Sequence, residues 1–176
     1  LKALGCSASE GFCFSLPLQL KDSDLVPTIF IDADACPVKE ETIKIALRHQ
    51  LQVHLVSNNW QRGETHPLIN RVVVPVEPDA ADSWIAQEIT AGDICVTNDI
   101  PLAAQCLDKQ AHAVRPNGEP FSSQSIGTAL AMRDLMAQLR ETGEITGGPS
   151  GYSKRDRTRF MDALERMIRQ SIRQQS

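Results

Sequence analysis

The fold predicted by this sequence is an α/β domain with a mainly parallel central sheet, helices on both of its faces, and two helices at the C-terminal end. Three observations carry that reading. Short apolar, β-rich runs alternate with helical stretches from Thr28 to Val114; two of those runs lead directly into aspartates; and the residues from Ile126 onward read as helix, break and helix. Alternation of this kind builds a three-layer sandwich, and charges at strand ends mark the edge where open α/β sheets form their ligand crevice.

Thr28 to Asp32 is a short buried strand. Pro37 suits the first turn of a helix running to about Gln50, with Val38, Ile45 and Leu47 among its apolar positions. Leu51 to Ser57 reads as the second strand and Arg71 to Val76 as the third. Asp79 to Ala91 is helical, Asp93 to Thr97 a strand, Ile100 to Leu107 a short helix and Ala111 to Val114 a last strand. Ile126, Leu130, Met132, Leu135, Met136 and Leu139 then recur mostly at three- and four-residue steps, so one face of this helix is expected in the core. Gly143, Gly147, Gly148, Pro149 and Gly151 break the chain. Ser153-x-x-Asp156 resembles a capping box at the head of the last helix, whose stripe is Phe160, Leu164, Met167 and Ile168.

A length of 176 residues suits one compact domain, expected over residues 28–176. Residues 1–27 mix Gly, Ser, Pro and Cys without periodicity. They are expected to be a poorly ordered extension or a start-site artefact; Gly11, Ser15 and Pro17 interrupt the apolar run a signal peptide needs. Apolar runs such as Val72-Val73-Val74 are far short of the roughly 20 residues that span a bilayer, so no membrane association is expected. Five cysteines form no C-x-x-C pair and leave an odd one in any disulfide scheme, which points to reduced thiols and the cytoplasm. The four histidines are scattered without zinc-ligand spacing.

The net charge of −4 is unevenly placed. From Arg133 onward Lys and Arg outnumber Asp and Glu nine to six, whereas the residues before it carry nine against sixteen. An acidic front with a basic tail suits a metal site beside a polyanion-binding surface, although solvated helix faces look the same in composition.

The acidic residues are Asp32 and Asp34, Asp79 and Asp82, and Asp99. Capping accounts for some of them: Asp79 and Asp99 stand before helices, and Asp82 is an acid in a first turn. Asp32 resists that account, because a charge directly after Ile-Phe-Ile is desolvated unless paired or metal-bound. If the first strand neighbours the Asp93 to Thr97 strand, Asp32 and Asp99 meet, with Asp82 reaching in from the intervening helix. Such a group suits a hard divalent cation, Mg2+ or Mn2+, and phosphate-ester chemistry.

Ile31-Asp32-Ala33-Asp34-Ala35-Cys36-Pro37-Val38, Asp79-Ala80-Ala81-Asp82-Ser83-Trp84-Ile85, Gly92 through Ala103, and Gly147-Gly148-Pro149 followed by Arg155-Asp156-Arg157 closely resemble the YaiI/YqxD family of bacterial proteins. The resemblance covers roughly Thr28 to Arg169. It implies a fold like that of the PIN-like and NYN ribonucleases, whose acidic residues bind divalent metal at the C-terminal ends of parallel strands. By that resemblance Asp32, Asp82 and Asp99 match the metal-binding aspartates, while Asp34 and Asp79 have looser counterparts.

A nuclease would use Asp34 to orient or deprotonate the attacking water, completing a catalytic set of Asp32, Asp34, Asp82 and Asp99. Arg133, Arg140, Lys154, Arg155, Arg157 and Arg159 are candidate contacts to RNA phosphates. Aromatic residues make up only 5%, with Trp60 and Tyr152 the best stacking candidates, which disfavours strongly base-specific recognition. Three rivals stay open. Asp32-Ala33-Asp34 matches the start of a haloacid-dehalogenase-type phosphatase, whose second acidic motif should follow a strand, whereas Gly92-Asp93 precedes one. Cys36 before Pro37 could be an activated thiolate, though Thr42 stands where a C-x5-R loop needs Arg. The third rival is a binding module of the same fold without turnover.

Overall fold

The computed structural model describes residues 26–34, 36–59, 66–141 and 152–175. Among them five strands, β1 (Ile29–Asp32), β2 (Val53–Ser57), β3 (Ile69–Val73), β4 (Ile94–Val96) and β5 (His112–Val114), form one wholly parallel sheet in the order β3-β2-β1-β4-β5. The helices are α1 (Lys39–Arg48), α2 (Ala80–Glu88), α3 (Ile100–Asp108), α4 (Ile126–Glu141) and α5 (Lys154–Gln175).

Strand alternation sorts the core into two layers. Ile29, Ile31, Val53, Leu55, Ile94 and Val96 face α1 and α5, where Ile45, Phe160, Leu164 and Ile168 close the layer. Phe30, Val56, Cys95 and Ala113 face the other way, onto Ile85 and Ala86 of α2 and Leu102, Ala103 and Cys106 of α3. Both faces of every central strand are thus dry, which explains the unbroken apolar runs.

Several boundaries differ from the sequence expectation. The third strand spans Ile69–Val73, not 71–76: Ile69 and Asn70 already pair with Val53 and His54, and Pro75 has no N–H with which to continue the ladder. The helix expected to reach Ala91 stops at Glu88. Its successor residues are drawn off by the buried Asp93, whose carboxylate accepts the N–H and hydroxyl of Thr90 at 2.9 and 2.8 Å. Strands β2, β4 and β5 are each shorter by one or two residues than expected.

A larger correction concerns α4. Its apolar stripe was expected in the core, yet Met132 and Leu135 are half exposed and Ile126, Leu130, Met136 and Leu139 only partly covered. The sheet face on that side is already occupied by α2 and α3, so α4 packs on α3 as an outer element. By contrast the head of α5 is built as expected: Ser153 gives both its N–H and its hydroxyl to Asp156, at 3.0 and 2.7 Å, and Ser153 Oγ accepts the N–H of Asp156 at 3.2 Å. The extension through residue 25, Trp60 and the glycine-rich stretch 142–151 lie outside the described residues, as does the side chain of Arg140.

Candidate functional site

The strand order reverses between β1 and β4: from β1 the chain winds outward through β2 to β3, then returns to place β4 on the other side of β1. At such a switch point the loops leaving two neighbouring strands splay to opposite faces and open a crevice. Asp32 ends β1, and Asp99 follows β4 by three residues. Asp32 pairs in register with Val56 and shares the strand face of Phe30, which looks towards α2 and α3. That places Asp32 beside the first turn of α2, which carries Asp82, and the head of α3, which carries Asp99.

Each carboxylate is fixed by its own local structure. Asp99 caps α3, its Oδ1 accepting the N–H of Leu102 at 2.8 Å, and its own N–H donates to Oγ1 of the buried Thr97 at 2.9 Å. Pro101 in the first helical turn suits the same boundary. Asp34 is exposed, and its Oδ2 accepts the N–H of Asn58 at 2.8 Å, joining the loops that leave β1 and β2. Asp79 stands at the head of α2 with a left-handed φ of 57° and makes no capping bond with its side chain; its carbonyl accepts the N–H of Ser83 at 2.8 Å.

Asp32 and Asp82, distant in the chain, are both shifted by burial and by carboxylates around them. Burial pushes Asp32 above the ordinary carboxylate range, with Asp34 and Asp99 adding repulsion, while an N–H from Asp34 and the charge of Lys39 pull the other way. Asp82 is raised to about 6, first by burial and then by Asp99, Asp32 and Asp79. The shifts of Asp32 and Asp82, with Asp99 contributing to both, mark one shared, partly desolvated pocket of negative potential.

The donor set is all oxygen, which suits a hard cation. Among the described residues no three His, Cys, Asp or Glu side chains stand close enough together to form a complete ion cage. Magnesium-type sites are often held by one or two carboxylates with water completing the shell, so the donor chemistry of Asp32, Asp82 and Asp99 fits such an ion in an open site.

The basic residues divide between the two faces of the sheet. Arg133 lies on the outer helix α4, 3.5 Å from Asp134; Arg140 lies further along the same helix. Lys154 and Arg155 are exposed at the head of α5. That head faces the acidic edge, because α5 runs against the strands: Ser171, near its far end, donates its hydroxyl to the carbonyl of Gly92, which precedes β4. Arg157 is already engaged, by an ion pair with the buried Glu41 of α1. Tyr152 is exposed near Glu41 and Arg157.

Two rival readings meet obstacles. Burial pushes the Cys36 thiol up to about 11, with Asp32 adding to the effect, so it rests as an inert thiol that shapes the turn. Asp93 sits at the opposite edge of the sheet from Asp32, locked by the N–H of Thr28 at 2.8 Å and by Thr90, and cannot serve as the second acidic motif of a phosphatase. One residue escaped the sequence reading altogether. Arg115 directly follows β5, and the strand-end rule applied to the aspartates would have found it had it been applied to cations.

Comparison with known proteins places these features in a family. A family described as "Uncharacterized BCR, YaiI/YqxD family" matches residues 30–170. A UPF0178 protein of Parvibaculum lavamentivorans is 55% identical over 145 residues, covering 82% of this chain and 95% of its own. A UPF0178 protein of Rhodopseudomonas palustris strain TIE-1 is 51% identical over 154 residues, covering 88% and 98%. One from Rhodospirillum rubrum is 54% identical over 141 residues, covering 80% and 94%. No solved structure matches the chain.

Proposed function

The chain belongs to the YaiI/YqxD family, and on that footing we propose that it is a divalent-metal-dependent phosphodiesterase acting on RNA. The observation that supports this most is the upward shift of both Asp32 and Asp82, to each of which the charge of Asp99 contributes, at the β1/β4 switch point. Carboxylates in one half-buried pocket destabilise the protein unless a cation is shared among them. In this reading Asp32, Asp82 and Asp99 hold Mg2+ or Mn2+, which supplies charge neutralisation and polarises a phosphoryl oxygen. Asp34 orients the attacking water with its second carboxylate oxygen, as Oδ2 is held by Asn58. Water adds to phosphorus, giving a proton to Asp34, while the ester bond to the leaving oxygen breaks and that oxygen takes up a proton from solvent; Lys154 and Arg155 hold flanking phosphates.

A second reading has one observation in its favour. The lack of a complete ion cage among the described residues suits a module that binds nucleic acid without turnover. Calorimetric titration with Mn2+, paired with an RNA cleavage assay, separates the two. The nuclease reading expects metal binding and cleavage in the wild type and loss of both in Asp32→Asn, Asp82→Asn and Asp99→Asn. Asp99→Asn is the cleanest of these, because Asn caps a helix about as well as Asp. Metal binding without cleavage favours the binding module, and three variants that bind like the wild type defeat the metal site.

A further inference from the structure

Beside the acidic edge, between the head of α3 and the outer helix α4, lies an open groove of about 790 Å³. Its wall begins at Ile100, the residue after Asp99, and includes Arg115, the residue after β5. Among the described residues Arg115 and Arg133 are its charged lining residues and no acidic side chain lines it, although the chain as a whole carries −4. Hydroxyls of Ser122, Ser125 and Thr128 add polar groups, and Met132 and Met136 supply an apolar strip.

We propose, building on the nuclease reading, that this groove holds an unpaired RNA strand and leads it to the acidic pocket, with Arg115 and Arg133 on its phosphates. Charge decides the occupant: a groove lined by two guanidinium groups, next in the chain to a capping aspartate of the acidic pocket through Ile100, is complementary to a polyanion whose scissile phosphate meets a metal while its flanking phosphates meet those guanidinium groups. Arg115 is held in place for that task. One nitrogen bonds Glu119 at 2.8 Å and the guanidinium lies 4.5 Å from the ring centre of Phe121, which leaves further N–H donors for a phosphate. The size argues for a single strand, since a groove in the usual range for ligand sites accepts a few linked nucleotides and not a duplex. The half-exposed Met132, puzzling on a helix expected to be buried, becomes a surface for sugar and base. The groove also explains why a chain poor in aromatics still has a place for bases.

The test measures binding of a fluorescent 12-nucleotide oligouridylate by anisotropy in EDTA, so that it does not depend on metal or turnover. Arg115→Ala/Arg133→Ala should bind at least tenfold more weakly than the wild type at low salt, with a log-affinity against log-salt slope shallower by roughly 1.4, about 0.7 for each lost contact. Arg115→Lys/Arg133→Lys should recover most of that slope, which separates lost charge from lost folding. Failure of the nuclease reading would show as absent cleavage with this binding pattern intact. The groove proposal is overturned by an alanine pair that binds with wild-type affinity and slope, by preferred binding of a duplex, or by a dimer that Met132→Lys dissociates without weakening RNA binding.

Discussion

The carboxylate of Asp34 accepts the backbone N–H of Asn58 at 2.8 Å, so an exposed acid beside the candidate site also fastens the loop after β1 to the loop after β2. Two roles in one side chain can be separated by substitution. Asp34→Ala should lower stability by about 1 kcal/mol, the usual net value of such a bond. Asp34→Asn keeps an oxygen acceptor and should cost less than about 0.5 kcal/mol in urea denaturation while still impairing hydrolysis. Equal destabilisation by both variants would show that charge, not the bond, is what matters.

Asp82 should trade stability for function with a definite pH signature. Its acidity is weakened to about 6 by burial and by neighbouring carboxylates. A carboxyl raised in the folded state stabilises the fold fully below its unfolded value near 3.8, and that contribution is lost as pH rises through about 6. Asp82→Asn removes the titration. Without added metal the variant should therefore melt higher than the wild type at pH 7.5, on the order of a few degrees, and the advantage should vanish at pH 4. A constant difference across that interval would count against the shared pocket.

Arg157 was a candidate for phosphate binding, yet its partner Glu41 is buried in α1. Removing one member of such a pair leaves a buried charge uncompensated, so Arg157→Ala should destabilise by about 2 kcal/mol, below the range for fully buried pairs because the guanidinium is half exposed. The double variant Glu41→Gln/Arg157→Ala should regain part of that loss, a coupling readable in a double-mutant cycle. Weak RNA binding by Arg157→Ala alone therefore says little about phosphates.

Gly118 closes the turn after β5 with φ of 84°, and a Cβ there would stand 2.5 to 2.6 Å from the backbone of Arg159 and Phe160. Neither atom group can move without shifting α5. Gly118→Ala should cost about 2 to 4 kcal/mol, combining left-handed strain with overpacking. A loss under 1 kcal/mol in urea denaturation would show that the turn can retreat from the helix.

Much of the architecture was legible because both faces of the central strands are buried. Runs such as Ile29-Phe30-Ile31 and Ile94-Cys95-Val96 can be little else than interior strands, and the aspartates after them mark the sheet edge. The sequence could not tell which of two apolar helix stripes lies inside. Met132 and Leu135 repeat at core spacing like Phe160 and Leu164, but whether a stripe is covered depends on how many helices compete for one sheet face. Likewise the sequence allows Asp99 two roles, cap and candidate ligand, and the geometry shows the cap without removing the other. Arg157 looked free because Glu41, its partner, lies more than a hundred residues earlier.

The seat of α5 has a consequence for biosynthesis. Phe160, Leu164 and Ile168 cover strands made more than a hundred residues earlier, β1 and β2 among them. At about 5–20 residues per second, several seconds separate the first strand from the helix that covers it. Through that interval only α1 shields this oily face of the nascent sheet, so the ribosome-bound chain is the form of this protein most in need of a chaperone.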